Sequence, residues 1–159
     1  MGFLKGRIED YSSPLAGVPV RLYTGYFFFK YGLEKLTRGF GGTELHDTLA
    51  RWAAGPAYDF YTPFLQSVAI PHAGLFARLV AYGELVVGAL LLLGCATRLA
   101  ALGGIFLCFN FLFASGESIL SVEAPSVFLL LLLTVYATAA GRALGLDALL
   151  KHRLPHWVA

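Results

Sequence analysis

Charged residues are scarce in this chain of 159 residues: they make up 14% of the sequence, whereas 57% is hydrophobic. This balance lies well outside that of soluble domains and indicates one small integral membrane domain. The first eighteen residues also lack the basic start, apolar centre and small-residue cleavage pattern of a signal peptide. We therefore expect the first span itself to direct membrane insertion.

Residues for conventional redox or metal chemistry are also few. Cys95 and Cys108 lie on or beside one helix, and at ~1.5 Å of rise per residue they are ~20 Å apart, too far for a disulfide. The sequence has no Cys-x-x-Cys pair, which argues against a disulfide-forming oxidoreductase. It places no histidine mid-span for a bis-histidine haem, and it contains no metal-ligand cluster, phosphate loop or nucleophile elbow. No metal and no covalent cofactor are expected.

Four apolar segments approach the length of about 20 residues that a helix needs to cross a bilayer. They are Pro19 to Leu36, Leu75 to Leu93, Thr97 to Ala114 and Ser126 to Ala140. The short link between the second and third segments makes them an antiparallel hairpin. The sequence therefore predicts an all-α membrane protein, built as an up-down bundle of four transmembrane helices.

The parts outside the bundle are assigned by charge and composition. Residues 1–18 are predicted to be a cytoplasmic segment, 19–140 the transmembrane domain, and 141–159 an amphipathic cytoplasmic tail. Basic residues near the ends place both termini in the cytoplasm and the chain in the cell (inner) membrane. The outer loop, 37–74, is expected to contain interfacial or re-entrant helices. Its aromatic residues suit either a belt at the lipid boundary or the lining of a ligand entrance: Trp52, Tyr58, Phe60, Tyr61 and Phe64.

Glu84 stands out because it lies at the centre of an apolar run. A carboxylate at that depth is costly unless it is paired or protonated, so it marks a candidate functional site. At ~1.5 Å of rise per residue, Lys30 falls level with Glu84, and Arg78 falls level with Glu34. We therefore predict these two opposite-charge pairs.

Asn110 on the third span and Tyr136 on the fourth fall at comparable depths, so one polar cluster is expected to draw on all four helices. One interpretation is structural, with the polar contacts fixing helix register. The other is that the cluster binds a quinone headgroup or relays protons, with Glu84 and Lys30 as catalytic residues. Glu34, Arg78, Asn110 and Tyr136 would then form the binding site.

The stretch ELVVGALLLLGCATRLAALGG, Glu84 to Gly104, resembles the central signature of the DoxX and DoxD membrane proteins. In that signature a Glu opens a glycine-containing apolar run that ends in Gly, a Thr-Arg pair and a small-residue helix start. RLYTGYFFFKYGLEKL is similar to the family's opening helix, and GLDALL to its closing segment. The family positions carried over are Arg21, Lys35, Glu84, Thr97, Arg98 and Asp147.

The resemblance implies a four-helix membrane subunit. DoxD-type members are associated with a thiosulfate:quinone oxidoreductase, and DoxX-type members with membrane complexes that include thiol or oxidative-stress enzymes. A thiosulfate reaction is expected to need a partner subunit, because none of these 159 residues is predicted to form a soluble domain in which sulfur chemistry could occur. The expected partners are other subunits of a membrane complex, lipids and a soluble oxidoreductase, with no nucleic acid.

Three functions stay open at this point. The first is a membrane subunit of a multi-subunit redox complex that interacts with quinone. The second is a non-catalytic structural or assembly subunit of a larger respiratory or photosynthetic complex. The third, a small carrier or lipid-binding protein, ranks last because the sequence has no obvious inverted repeat or broken helix pair.

Overall fold

The computed structural model describes residues 15–150, and all regular structure within that range is helical. The α-helices are α1 (Val18–Thr37), α2 (Gly42–Ala53), α3 (Thr62–Phe64), α4 (Ala73–Leu93), α5 (Thr97–Ser115), α6 (Ala124–Thr138) and α7 (Leu146–Leu150). A π-helical turn, Leu65–Ala69, follows α3, and a 3-10 turn, Ala140–Arg142, follows α6. The predicted amino-terminal segment up to residue 14 and the tail from 151 onward lie outside the described residues.

Proline and glycine set several helix ends. Pro19 and Pro125 lie in the first turns of α1 and α6. Backbone N–H groups in a first turn have no intrahelical partner, so the missing N–H of proline costs no hydrogen bond there. Gly94 and Gly116 end α4 and α5 with φ of 62° and 70°. Glycine is favoured in this left-handed conformation because it has no Cβ.

Close glycine contacts join α1 to α4. A Cβ on Gly32 would overlap the backbone of Leu85, and one on Gly88 would overlap the backbone of Phe29. The two helices therefore approach each other closely enough for backbone contact. These two glycines therefore serve packing within the chain.

Helix α5 runs through Gly103 and Gly104 without a break. A Cβ on Gly104 would lie 2.9 Å from the side chain of Leu132, so this position admits α6 against α5. Gly103 has a different role, because it lines a cavity.

The outer loop folds into α2, α3 and the π-helical turn, which pack on one end of α4 and α5. Leu45 and Leu49 of α2 and Leu65 of the π-helical turn are buried against Ala77 of α4 and Ala114 of α5. We call α2, α3 and the π-helical turn the outer cap. This packing closes one end of the space between α4 and α5.

In the described part of the chain, α4 and α5 are long and apolar enough to cross a membrane. Helix α6 is apolar but has only 15 residues. Helix α1 has 20 residues and carries four charged side chains, Arg21, Lys30, Glu34 and Lys35. The all-helical class is confirmed, whereas the four-span bundle stays a prediction.

Candidate functional site: a buried ion pair beside an apolar cavity

A cavity of about 620 Å³ lies between the outer cap, α4 and α5. Its size is typical of small-molecule sites, which span roughly 300–1,000 Å³. The walls are mostly aliphatic and aromatic, and Lys35 of α1 reaches them from the side. The polar side chains that share the lining with Lys35 are Thr48, Tyr61 and Asn110. The site is therefore apolar with a few polar groups at defined positions.

Lys35 forms an ion pair with Glu84 at this cavity. The Lys35 Nζ donates to Glu84 Oε1 at 2.6 Å and to Oε2 at 2.5 Å. Only 5% of Glu84 is exposed, so the carboxylate depends on this partner. The Lys35 ammonium also lies 5.9 Å from the ring centre of Phe40 and 5.8 Å from that of Phe111. The charged end of the cavity is thus flanked by two aromatic rings.

The predicted pairing of Lys30 with Glu84 is wrong. Lys30 is exposed, and its ammonium lies 5.6 Å from the ring centre of Tyr31. Lys35 is five positions further along α1, which moves the charge by ~7.5 Å and turns it to a different face of the helix. Counting residues along each helix fixes neither the rotation of the helix nor its height relative to its neighbours. The signal in the sequence that pointed to Lys35 was its place in the family motif.

The predicted pairing of Arg78 with Glu34 is also wrong. Glu34 pairs instead with Arg38, one turn along its own chain, and Arg38 is exposed. Arg78 is exposed on α4, at a shallow groove that shares Leu79 and other lining residues with the cavity. Glu34, Arg38 and Arg78 therefore take no part in the Lys35–Glu84 ion pair.

Asn110 contributes a second polar group to the cavity, and its partner comes from the outer cap. The Tyr61 hydroxyl donates to Asn110 Oδ1 at 2.5 Å, and Asn110 Nδ2 donates to the Phe106 carbonyl at 2.7 Å. For the aromatic residues of the outer loop, including Tyr61, the sequence allowed either a belt at the lipid boundary or the lining of a ligand entrance. In the structure Tyr61 lines the cavity. Burial raises the pKa of Tyr61 above its usual range, so the phenol stays a protonated donor at neutral pH.

Tyr136 does not join Asn110. Arg98, in the first turn of α5, stacks over the Tyr136 ring at 5.4 Å and donates from Nε to the Tyr136 carbonyl at 3.2 Å. Asn110 lies twelve residues further along α5, ~18 Å of helix rise away. The single polar cluster expected from sequence is therefore divided between the two ends of the bundle.

The second cluster holds the opposite end of the molecule together. The buried Arg21 guanidinium donates to the carbonyls of Ala140 at 2.8 Å, Ala143 at 3.2 Å and Leu144 at 3.0 Å. These carbonyls follow α6, so Arg21 ties α1 to the segment that leads into α7. Sequence reasoning gave Arg21 no role beyond its place in the family motif.

Asp147 of α7 caps the start of α5 in the same cluster. Its carboxylate accepts from the backbone N–H of Ala96 at 2.7 Å and of Thr97 at 2.9 Å. A carboxylate at a helix N-terminus satisfies free backbone donors and complements the helix dipole. The family positions thus fall into two groups. Lys35 and Glu84 lie at the cavity, and the others lie at the opposite end of the molecule, around the start of α5: Arg21, Thr97, Arg98 and Asp147.

These features define a small helical membrane protein with a buried ion pair facing an apolar cavity. The DoxX family model matches residues 17–116, from the start of α1 to the end of α5, and the chain belongs to the DoxX family. The resemblance to DoxX proteins seen in the sequence is confirmed. The family is a membrane family often associated with redox-related functions. No curated protein and no solved structure matches the chain.

Proposed function

We propose that this chain is the membrane subunit of a multi-subunit redox complex and that it binds a quinone in the cavity. The observation that supports this most is the Lys35–Glu84 pair, in which the carboxylate is buried and the half-buried lysine borders an apolar space of about 620 Å³. Buried ionisable residues in membrane proteins commonly mark substrate sites or proton relays. An ion pair that served only to fix register would not need such a space beside it.

The chemistry of the lining suits a quinone. Apolar walls accommodate its ring and isoprenoid chain, and Phe40 and Phe111 offer rings near the charged end. A lysine ammonium has three N–H groups, two of which are engaged with Glu84. The third remains for a quinone carbonyl. Lys35 thus replaces Lys30 as the donor in the proposed site.

Glu84 is placed to exchange a proton through Lys35. Reduction of a quinone to a quinol consumes two electrons and two protons. In this proposal a partner oxidoreductase supplies the two electrons, the Lys35 ammonium supplies one proton to the carbonyl oxygen that it contacts, and solvent water supplies the second proton to the other oxygen. Glu84 holds Lys35 in position, and its carboxylate takes a proton from solvent and passes it to the neutral Lys35 amine, which restores the ion pair.

The proposal includes the membrane arrangement expected from sequence. Helices α1, α4, α5 and α6 would cross the cell (inner) membrane, with both termini in the cytoplasm. The 15-residue α6 would require local thinning of the bilayer or support from a neighbouring subunit. The outer cap would then lie on the side away from the cytoplasm.

Trp52 provides a direct binding test, because it lines the cavity. The sequence has two tryptophans, so a Trp157→Phe background leaves Trp52 as the single tryptophan of the chain. Decylubiquinone titrated into the protein in detergent micelles should quench this fluorescence with saturation. Lys35→Met and Glu84→Gln should weaken binding by about tenfold or more.

Lys30→Met and Glu34→Gln are the matched controls, because the same substitutions fall on charges outside the cavity lining. They should leave the binding curve unchanged. The double variant Lys35→Met with Glu84→Gln removes both charges together and separates loss of binding from loss of folding. Quenching that does not saturate, or equal weakening by the Lys30 and Lys35 variants, would contradict the proposal.

The structural or assembly function remains the second candidate, and α6 supports it. This helix is short for a bilayer, and Leu130 and Leu133 on it are 66% and 48% exposed. Mild detergent extraction followed by mass spectrometry tests the choice. A stoichiometric soluble oxidoreductase would favour the redox subunit, whereas the core subunits of another complex, with Lys35 and Glu84 dispensable for assembly, would favour the structural one.

A further inference from the structure

We propose that the cavity selects a ring with two hydrogen-bond acceptors on opposite edges, one for Lys35 and one for Asn110. This inference rests on the proposed quinone function and adds to it the recognition of the second carbonyl. Asn110 is the specificity-determining residue, and Tyr61 is the positioning residue that orients its amide.

The two polar groups reach the same cavity from different elements. Lys35 and its partner Glu84 come from α1 and α4, whereas Asn110 comes from α5. Both side chains line the same cavity of about 620 Å³. Two donors in one cavity of this size are within the reach of a single ring ligand.

Donor capacity at Asn110 supports this assignment. An amide side chain has two N–H groups, and here one donates to the Phe106 carbonyl at 2.7 Å. The amide oxygen is occupied, because it accepts from the Tyr61 hydroxyl at 2.5 Å. Tyr61 therefore fixes which end of the amide is available, and the second N–H can donate to a ligand carbonyl.

The route into the cavity points to a ligand dissolved in lipid. Leu79, Val86 and Phe106 line the cavity and are also 56%, 53% and 68% exposed, so they form its rim on the outer faces of α4 and α5. Gly83 and Gly103 line it as well and keep the wall between these helices thin. An uncharged ring with an apolar substituent can enter along this path from the bilayer.

Two probes that differ in one acceptor test the proposal. Menadione has two carbonyls on opposite edges of its quinone ring, whereas α-tetralone has a similar fused-ring frame with one. Calorimetric titration into the protein in nanodiscs should show menadione binding more tightly than α-tetralone. Asn110→Leu should weaken menadione binding by about tenfold, the effect of losing one hydrogen bond, and leave α-tetralone binding unchanged.

Tyr61→Phe keeps the ring and removes the hydroxyl, so it should weaken menadione binding less than Asn110→Leu does, and again without affecting α-tetralone. Tyr58→Phe is the matched control, because the Tyr58 hydroxyl donates to the Glu117 carbonyl and Tyr58 is not among the cavity-lining residues. If Asn110→Leu weakens both probes equally or neither, this inference is overturned while Lys35-dependent quinone binding survives. If menadione does not bind the wild-type protein at all, the proposed function fails with it.

Discussion

Lys35 and Glu84 are 49 positions apart in the sequence and meet in a two-point ion pair beside the cavity. Lys30, on the same helix as Lys35, is exposed instead. Lys35 is half-buried and paired with Glu84, whereas Lys30 lies at the surface of α1. The two lysines also provide matched variants for most of the tests below.

The first prediction concerns the stability of the buried pair. Lys35→Met leaves Glu84 buried without its partner. Breaking a fully buried pair costs about 3–5 kcal/mol, and we expect a loss toward the lower end of that range because 24% of the Lys35 side chain is exposed. The double variant Lys35→Met with Glu84→Gln removes both charges and should recover part of that loss. Unfolding in a detergent-denaturant titration measures the free energy. A Lys30→Met variant as unstable as Lys35→Met would be inconsistent with the observed pairing.

The second prediction concerns the cap on α5. Asp147→Ala removes the acceptor for the N–H groups of Ala96 and Thr97 and should cost about 1–2 kcal/mol of unfolding free energy. Asp147→Asn keeps one acceptor oxygen and should cost less. Asp59→Ala, at an exposed acidic residue, is the control and should not change stability measurably. Equal stability of the Asp147 and Asp59 alanine variants would show that the cap contributes nothing.

The third prediction concerns the contact between α1 and α4. Gly88→Ala places a Cβ against the Phe29 backbone, and overpacking of this kind costs about 1–3 kcal/mol. Gly74→Ala, on the same helix, meets no atom within 4 Å and serves as the control. Thermal unfolding in nanodiscs should show a lower midpoint for Gly88→Ala alone. Unchanged midpoints for both variants would argue against close packing of the two helices.

The fourth prediction fills the cavity without changing a polar group. A Cβ on Gly83 lies 3.6 Å from Leu107, an ordinary contact, so Gly83→Leu should fold and extend its side chain into the cavity. It should abolish saturable quenching of Trp52 by decylubiquinone. Gly74→Leu makes the same substitution on α4 outside the cavity lining and should bind normally. Normal binding by Gly83→Leu would place the ligand elsewhere.

The helical class, the DoxX family and the unusual position of Glu84 in an apolar run could be obtained from the sequence, because apolar length and an isolated carboxylate are local signals. The partner of Glu84 could not be obtained in this way. Lys30 and Lys35 differ by helix rotation and height, which α1 acquires only by packing its glycines on α4. The same limit applies to Tyr136, because the start of α6 relative to α5 is fixed by tertiary contacts.

The contact between Tyr61 and Asn110 was also beyond sequence reasoning. Tyr61 belongs to the outer loop, and although helices were expected there, no pattern in the sequence indicates which residue of α5 the Tyr61 hydroxyl meets. The role of Asp147 was open for a similar reason, because the residues it caps lie 50 and 51 positions earlier in the chain. In both cases the contact depends on how separate elements pack.

The most direct test of quinone binding in this cavity is photolabelling with an azidoquinone, followed by mass spectrometric mapping of the labelled peptides. We predict labels on cavity-lining residues such as Trp52 and Phe111. These labels should be lost on competition with decylubiquinone and in Lys35→Met but retained in Lys30→Met. Labelling confined to exposed residues of α6 such as Leu130, unchanged by competitor, would contradict this prediction.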